Sequence, residues 1–333
     1  MRVLHLSDTQ LSGAVIRLST LLAKYGGIES RHICWMDKIG YREYESDIVG
    51  YKACKETMIY LIYDWPDVIV YHNRWKRQEV FQFLKMEPPK KPAMIQIHSP
   101  RESENFREEE ESGLPLAIVA QYHVRQWPEL TYIVPNVVDI YHKDYTPRSQ
   151  KPTSSPSKDY LARMRVLDKK LPIALPVVSY APSNTNSTGW DDKGYNIIAP
   201  VLKRLKMDHA ISYQLIQQRP FKDVMALKKE ADIGIDEIVT GSYHLSALEY
   251  LSLGVPCFTN IDKHTEKVVK DLTGSSNLPF LKANKDSFER MLVDILKDKS
   301  WPELGRKSRA WMESYWNPEF LCNHYKNIFK ELK

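Results

Sequence analysis

Apolar residues fall into short runs separated by stretches of helical spacing. RVLHLS (2–7), RHICW (31–35), DVIVYH (67–72), AMIQIH (93–98) and LAIVA (116–120) have the length and β-branched content of buried strands. After the first run comes a loop with Gly13, then AVIRLSTLLAKYGG, where Ala14, Val15, Leu18 and Leu22 mark a helix closed by Gly26 and Gly27. Helices around 51–63 and 76–86 precede the next two runs. This strand–helix alternation predicts a parallel sheet. The charged stretch 101–112 (RESENFREEEES) predicts a solvated helix or loop, or alternatively a flap over a cleft.

The pattern then repeats. TYIVPNVVDIYH (131–142) carries the chain out of the first unit, with Pro135 fixing the backbone. Residues 146–158 are rich in Pro, Ser and Lys and predict a linker, and 159–170 predict a short basic helix. A strand ending at Tyr180 leads through a polar loop to Lys193 and Gly194. There a helix opens with Ile197, Ile198, Val201, Leu202 and Leu205 on one face. ISYQLIQ is the next strand and FKDVMALKKEA the next helix.

Residues 231–258 (ADIGIDEIVTGSYHLSALEYLSLGVPCF) predict a buried strand, a turn at Thr240 and Gly241, a helix capped by Ser242, and a second buried strand. Leu245, Leu248 and Leu251 give that helix its apolar face, and Gly254 with Pro256 ends it. From Ser287 onward the chain is helical.

Composition narrows the function classes. The chain has 333 residues, 43% of them hydrophobic, enough for two domains. A net charge of +5 fits an anionic ligand or a membrane surface and is too small to argue for nucleic acid. The four cysteines are scattered, with no Cys-x-x-Cys or Cys/His cluster. This pattern predicts a reducing compartment and no structural zinc. No apolar run has membrane-spanning length and MRVLHLSD is a strand, so a soluble cytoplasmic protein is expected. No Gly-x-Gly-x-x-Gly occurs, which argues against a dinucleotide fold of the NAD type.

The candidate chemistry lies at strand and helix ends. Glu249 sits at the edge of an apolar helix face, where a carboxylate needs a ligand hydroxyl pair or a nearby donor. The amides near Ser242, Tyr243 and His244 form an anion site. His72 and His98 both end strands, beyond whose carboxyl ends ligands of open α/β sheets bind.

These segments resemble the retaining family-4 glycosyltransferases of the GT-B fold. The resemblance is carried by "VPNVVD" at the crossing between domains, by "APSN" followed by the Lys-Gly pair at 193–194, by "IQIHSP" around His98, and by the 231–258 segment. The rest of the first domain matches in layout more than in motif. The resemblance implies two facing Rossmann-like domains with parallel sheets. It divides the chain into an acceptor-side domain (1–145), a linker (146–175), a nucleotide-sugar domain (176–312) and a closing helix (313–333) that packs back on the first domain.

The resemblance also implies roles. Glu249 would hold the ribose, Lys193 would neutralise the diphosphate, and His98 would orient the sugar; Gly13, Ser183, Asn184, Gly241, Ser242, Tyr243 and His244 would complete the donor site. Gly241 stands where the family usually carries the first Glu of a Glu-x7-Glu pattern. No Asp-x-Asp triplet is present, so neither a metal nor a cofactor is expected.

The leading function is transfer of a sugar, with retention, from a UDP- or GDP-linked donor to a glycan, lipid-linked or small-molecule acceptor. The alternatives are a transferase that glycosylates a modified base in DNA, and a non-catalytic nucleotide-sugar-binding scaffold. Peripheral membrane contact is compatible with the mildly basic charge.

Overall fold

The computed structural model describes residues 1–36, 47–74, 78–103, 105–127, 129–148, 175–182, 185 and 192–333. Two separate parallel sheets form, as the two runs of alternating strands and helices predict. The first contains β1 (Arg2–Ser7), β2 (Glu29–Cys34), β3 (Ile48–Val49), β4 (Val68–His72), β5 (Ala93–Ile97), β6 (Leu116–Val119) and β7 (Tyr132–Val134), in the order β3-β2-β1-β4-β5-β6-β7. The second contains β8 (Val177–Tyr180), β9 (Ser212–Leu215), β10 (Ile233–Glu237), β11 (Cys257–Thr259) and β12 (Leu281–Lys282), in the order β12-β11-β10-β8-β9.

Helices α1 (Ala14–Tyr25), α2 (Lys55–Ile59), α3 (Glu79–Leu84) and α4 (Arg107–Glu110) belong to the first lobe. The second lobe carries α5 (Tyr195–Met207), α6 (Phe221–Glu230), α7 (Leu245–Ser252), α8 (Lys263–Thr273) and α9 (Phe288–Asp298). The central strands β1, β4, β5 and β10 are buried on both faces, which requires their continuous apolar runs.

Two closing helices, α10 (Trp301–Tyr315) and α11 (Pro318–Glu331), return the chain to its start. His324 donates from Nε2 to the Ile133 carbonyl at 2.8 Å, and Tyr325 donates its hydroxyl to Pro135 at 3.2 Å. Trp316 is fully buried, and its indole N–H donates to the Asn136 carbonyl at 2.8 Å. One apolar cluster therefore runs through both lobes, from Val3, Leu22 and Val70 to Leu248, Tyr250, Trp316 and Phe329. Arg309 fastens the same junction by donating to the carbonyls of Ile140, Tyr145 and Ser252.

Several local expectations change. Ser242 does not cap α7: its hydroxyl donates to its neighbour Tyr243, and the helix opens after His244 instead. Ile197 lies on the exposed side of α5 rather than with the buried residues of that helix. The short edge strand β3 was not foreseen. In the charged stretch, Arg101 pairs with Glu110 and Arg107 with Glu111 on the surface, but Glu109 is wholly buried. The expected helix at 159–170 and most of the linker lie outside the described residues.

Gly305, in the second turn of α10, packs directly on Gly254, so a Cβ there would stand 2.1 Å from the Gly254 carbonyl oxygen. Alanine ordinarily strengthens a helix interior by ~1 kcal/mol over glycine. Here the obstacle is backbone that cannot rotate away. Gly305→Ala is expected to lower stability by about 1–3 kcal/mol through overpacking, read as a lower urea midpoint; an unchanged or raised midpoint would count against this contact.

Candidate functional site

The site grows from the carboxyl end of β10. Asp236 and Glu237 are both fully buried there. One oxygen of Asp236 accepts from the His244 amide at 2.7 Å and lies 3.1 Å from His244 Nδ1. That carboxylate holds the start of α7, the place the sequence suggested for Ser242. Burial works against its charge, but His244 and Lys193 outweigh burial and bring its carboxyl down to about 2.

Glu237 shapes the turn that follows by accepting from the amides of Val239 and Thr240 at 2.6 Å and of Ser242 at 3.3 Å. Burial, with the charge of Asp236, pushes it up to about 7 in spite of those amides and His244.

Gly241 occupies the left-handed region at φ +80°, with Asp262 positioned so that a Cβ would stand 3.0 Å from its carboxylate. A glutamate at this position would be strained by the left-handed backbone, and its Cβ would crowd the Asp262 carboxylate. The departure from Glu-x7-Glu thus has a local physical reason. Asp262 is itself held by Arg125 of the first lobe at 2.8 Å.

Lys193 is buried, and its carbonyl accepts from the Tyr180 hydroxyl at 3.1 Å, which ties it to the carboxyl end of β8. The charges of Lys193 and His244 both act on the Asp236 carboxylate. His244 keeps part of its ring exposed. Tyr243 turns inward: its ring is fully buried, stacked on Phe280 at 5.3 Å and edge-on to Trp316 at 6.4 Å. Its backbone faces the first lobe, where Gln121 donates to its carbonyl at 2.7 Å. Ser183 and Asn184 lie outside the described residues.

Glu249 finds its partners within the protein. Lys228 of α6 donates to one oxygen at 2.6 Å, and Arg17 of α1 donates to the other at 2.8 Å. Burial opposes its charge, but the two cations prevail and keep its carboxyl below the ordinary value. Arg17 stacks over Phe221 at 4.9 Å, and Lys228 also bonds the Ser246 hydroxyl at 2.8 Å. Arg17 follows Gly13, itself left-handed at φ +80°, by one helical turn, so the start of α1 is brought against the second lobe.

The first lobe contributes imidazoles. His98 follows β5, and its Nε2 lies 2.8 Å from His72 Nδ1. Its amide donates to Asn73 Oδ1 at 2.7 Å, and burial takes the ring down to about 4. His123, after β6, is buried with neither ring nitrogen hydrogen-bonded. Burial, then the charges of His244 and His98, take it down to about 3. His123 thus feels the charge of histidines from both lobes. No short motif in the sequence marks His123, Arg17 or Lys228. Among the described residues, no three His, Cys, Asp or Glu side chains are grouped as metal ligands, and no helix is long and apolar enough to cross a membrane.

No protein-family model matches the chain, and neither does any curated protein. Solved structures do match. The sucrose-phosphate synthase tll1590 from Thermosynechococcus elongatus is 12% identical with a TM-score of 0.58, over 100% of this chain and 99% of that one. Anabaena Alr3699/HepE in complex with UDP is also 12% identical with a TM-score of 0.58, over 99% and 100% of the chains. WaaG, a glycosyltransferase of lipopolysaccharide biosynthesis, is 12% identical with a TM-score of 0.51 over 96% and 98%. The chain has the GT-B fold that its sequence resemblance implied.

Two predictions arise from these buried charges. Glu249→Ala would leave Lys228 and Arg17 without their carboxylate, at a cost of about 3–5 kcal/mol. The urea midpoint should fall accordingly, and a fall under ~1 kcal/mol would show that the triad is not what joins the lobes. The second concerns pH. His5, His32, His98 and His123 have ring values of about 3 to 4 in the fold against 6.5 ordinarily, and His72 lies well below 6.5. The unfolded chain then binds more protons, so stability drops as pH falls from 6.5 toward 4, by up to ~1.4 kcal/mol per pH unit per imidazole. Glu237, raised from 4.5, acts in the opposite direction as a single group. Urea midpoints at pH 7.5, 6 and 5 measure the difference, and a flat profile would contradict buried neutral rings.

Proposed function

We propose that this protein is a glycosyltransferase that moves a sugar from a nucleoside diphosphate sugar to an acceptor hydroxyl with retention of anomeric configuration. The observation that carries this reading is the start of α7, held by Asp236 at the carboxyl end of the second sheet, with the charge of the buried Lys193 acting on the same carboxylate. A lysine ammonium beside a helix start suits a leaving diphosphate, combining a compact charge with backbone donors. The UDP held by the structurally similar HepE favours a uridine diphosphate donor.

In this reading Lys193 and the first amides of α7 take up the negative charge that grows on the diphosphate as its bond to the anomeric carbon breaks. The acceptor oxygen forms its bond to that carbon on the same face, and its proton passes to the departing phosphate oxygen. His98 contacts and orients the sugar. Glu249 accepts the ribose hydroxyls on the lone pairs that its two cations leave free. No metal is required, because the lysine and the helix start supply the positive charge. Gly241, held against Asp262, favours a second reading, a scaffold that binds nucleotide sugars without turning them over.

Thermal shifts with UDP, GDP, ADP and their sugars test the site, since a ligand of the native state alone raises its melting temperature. A rise with a nucleoside diphosphate is expected; no response to any of them would remove the proposal. Slow release of nucleoside diphosphate from the donor that binds separates enzyme from scaffold. Lys193→Ala should reduce turnover by roughly 10²-fold, as loss of a group stabilising developing charge does, with a smaller change in donor affinity. Turnover that vanishes in EDTA and returns with Mn²⁺ would refute the metal-free mechanism.

A further inference from the structure

Three histidines climb the first sheet as a staircase. β1, β4 and β5 are adjacent and parallel; His5 is level with Val70, and His72 is level with Gln96. Each next histidine thus stands two residues nearer the carboxyl edge than its predecessor. Two residues is the side-chain repeat of a strand, so the three rings share one face. They are hydrogen-bonded in series: His5 Nδ1 to His72 Nε2 at 3.1 Å, and His72 Nδ1 to His98 Nε2 at 2.8 Å. His5 and His72 are buried, and His98 is half-buried at the upper end.

Burial keeps all three rings neutral. A neutral imidazole has one donor and one acceptor nitrogen, so in this chain the protons must all point the same way. Only two arrangements are possible. In one, every ring carries its proton on Nδ1, His5 Nε2 is bare, and His98 presents Nδ1–H at the free end. In the other, every ring carries it on Nε2, and His98 presents a bare Nδ1. The lower end distinguishes them. His5 Nε2 is buried with no hydrogen-bond partner, so the second arrangement would strand an N–H group in the core, and orphaned buried N–H groups are rare.

We propose that His5 and His72 are positioning residues that lock His98 as an Nδ1–H donor at the cleft. His98 then gives a hydrogen bond to an oxygen of the bound sugar and does not serve as a base. This use of the donor rests on the glycosyltransferase reading; the lock itself does not.

The two separate in experiment. Protein labelled with ¹⁵N-histidine, without ligand, is examined by long-range ¹H–¹⁵N correlation, in which protonated and bare ring nitrogens resonate in distinct ranges. His98 should show protonated Nδ1 and bare Nε2, the reverse of the tautomer that free imidazole side chains prefer. In His5→Met, the thioether sulfur can accept from His72 Nε2 but cannot donate to it, which favours the reversed chain without touching His98, so the His98 Nδ1–H population should fall. A wild-type His98 with protonated Nε2 overturns the lock whether or not any variant folds. So does a folded His5→Met with an unchanged His98 signature.

If the protein turns over donor, His5→Met should lower kcat by up to about tenfold, the worth of one net hydrogen bond, with the donor KM unchanged. An intact lock in a protein with no transferase activity would refute the proposed function and leave the lock standing. An altered tautomer with unchanged kcat would refute the role given to His98.

Discussion

A carboxylate buried between two cations from different parts of the chain sets the relation of the lobes. Glu249 belongs to the second lobe, as does Lys228, but Arg17 comes from the first helix of the first lobe. Each charge has been taken out of water, and attraction in a dry interior compensates for that loss only when the geometry is held. The pairing distances of 2.6 and 2.8 Å meet that condition. Any sliding of α1 against α7 would break the ion pair between Arg17 and the buried Glu249. The site is built on this junction, because the helix that carries Glu249 also begins at His244.

Polar groups around the turn are arranged so that the backbone is committed before any ligand arrives. Asp236 holds the helix start, Glu237 holds the turn through three amides, and the left-handed backbone at 241, with Asp262 close against it, favours glycine there. From the first lobe, Gln121 and Tyr122 bond Tyr243 and Ser242. Such a frame pays its ordering cost during folding, so little reorganisation remains at the moment of reaction.

Most of the architecture could be read from the sequence because it follows from period and punctuation. Strand-length apolar runs alternate with helical spacing, and Gly26, Gly254 and Pro256 stop helices where expected. The burial and tilt of side chains within the site were less visible. Glu249 stood out as a charge on an apolar face, yet its partners lie 232 and 21 residues away, and no local pattern announces them. Ser242 looked like a cap by residue type, but a buried acid eight residues before His244 took that position. Tyr243 fell within an anion-binding segment while its ring joined the core. His5 and His72 were hidden because their alignment depends on strand register, which a single run of sequence does not encode.

The return of the last helix has a consequence for biosynthesis. Cys322 meets the Leu21 carbonyl across 301 residues of chain, and α11 covers an apolar face of the first sheet. While the chain emerges from the ribosome, strands β1 to β7 exist long before their cover does. The nascent first lobe must therefore wait with greasy surface open to water and to neighbours. Contacts of such long range are slow to form, and exposed sheet surface invites aggregation in the interval. Expression of this chain should depend on chaperone supply more than its final stability suggests, and a fragment ending before Trp316 would be born without the residue that closes its core.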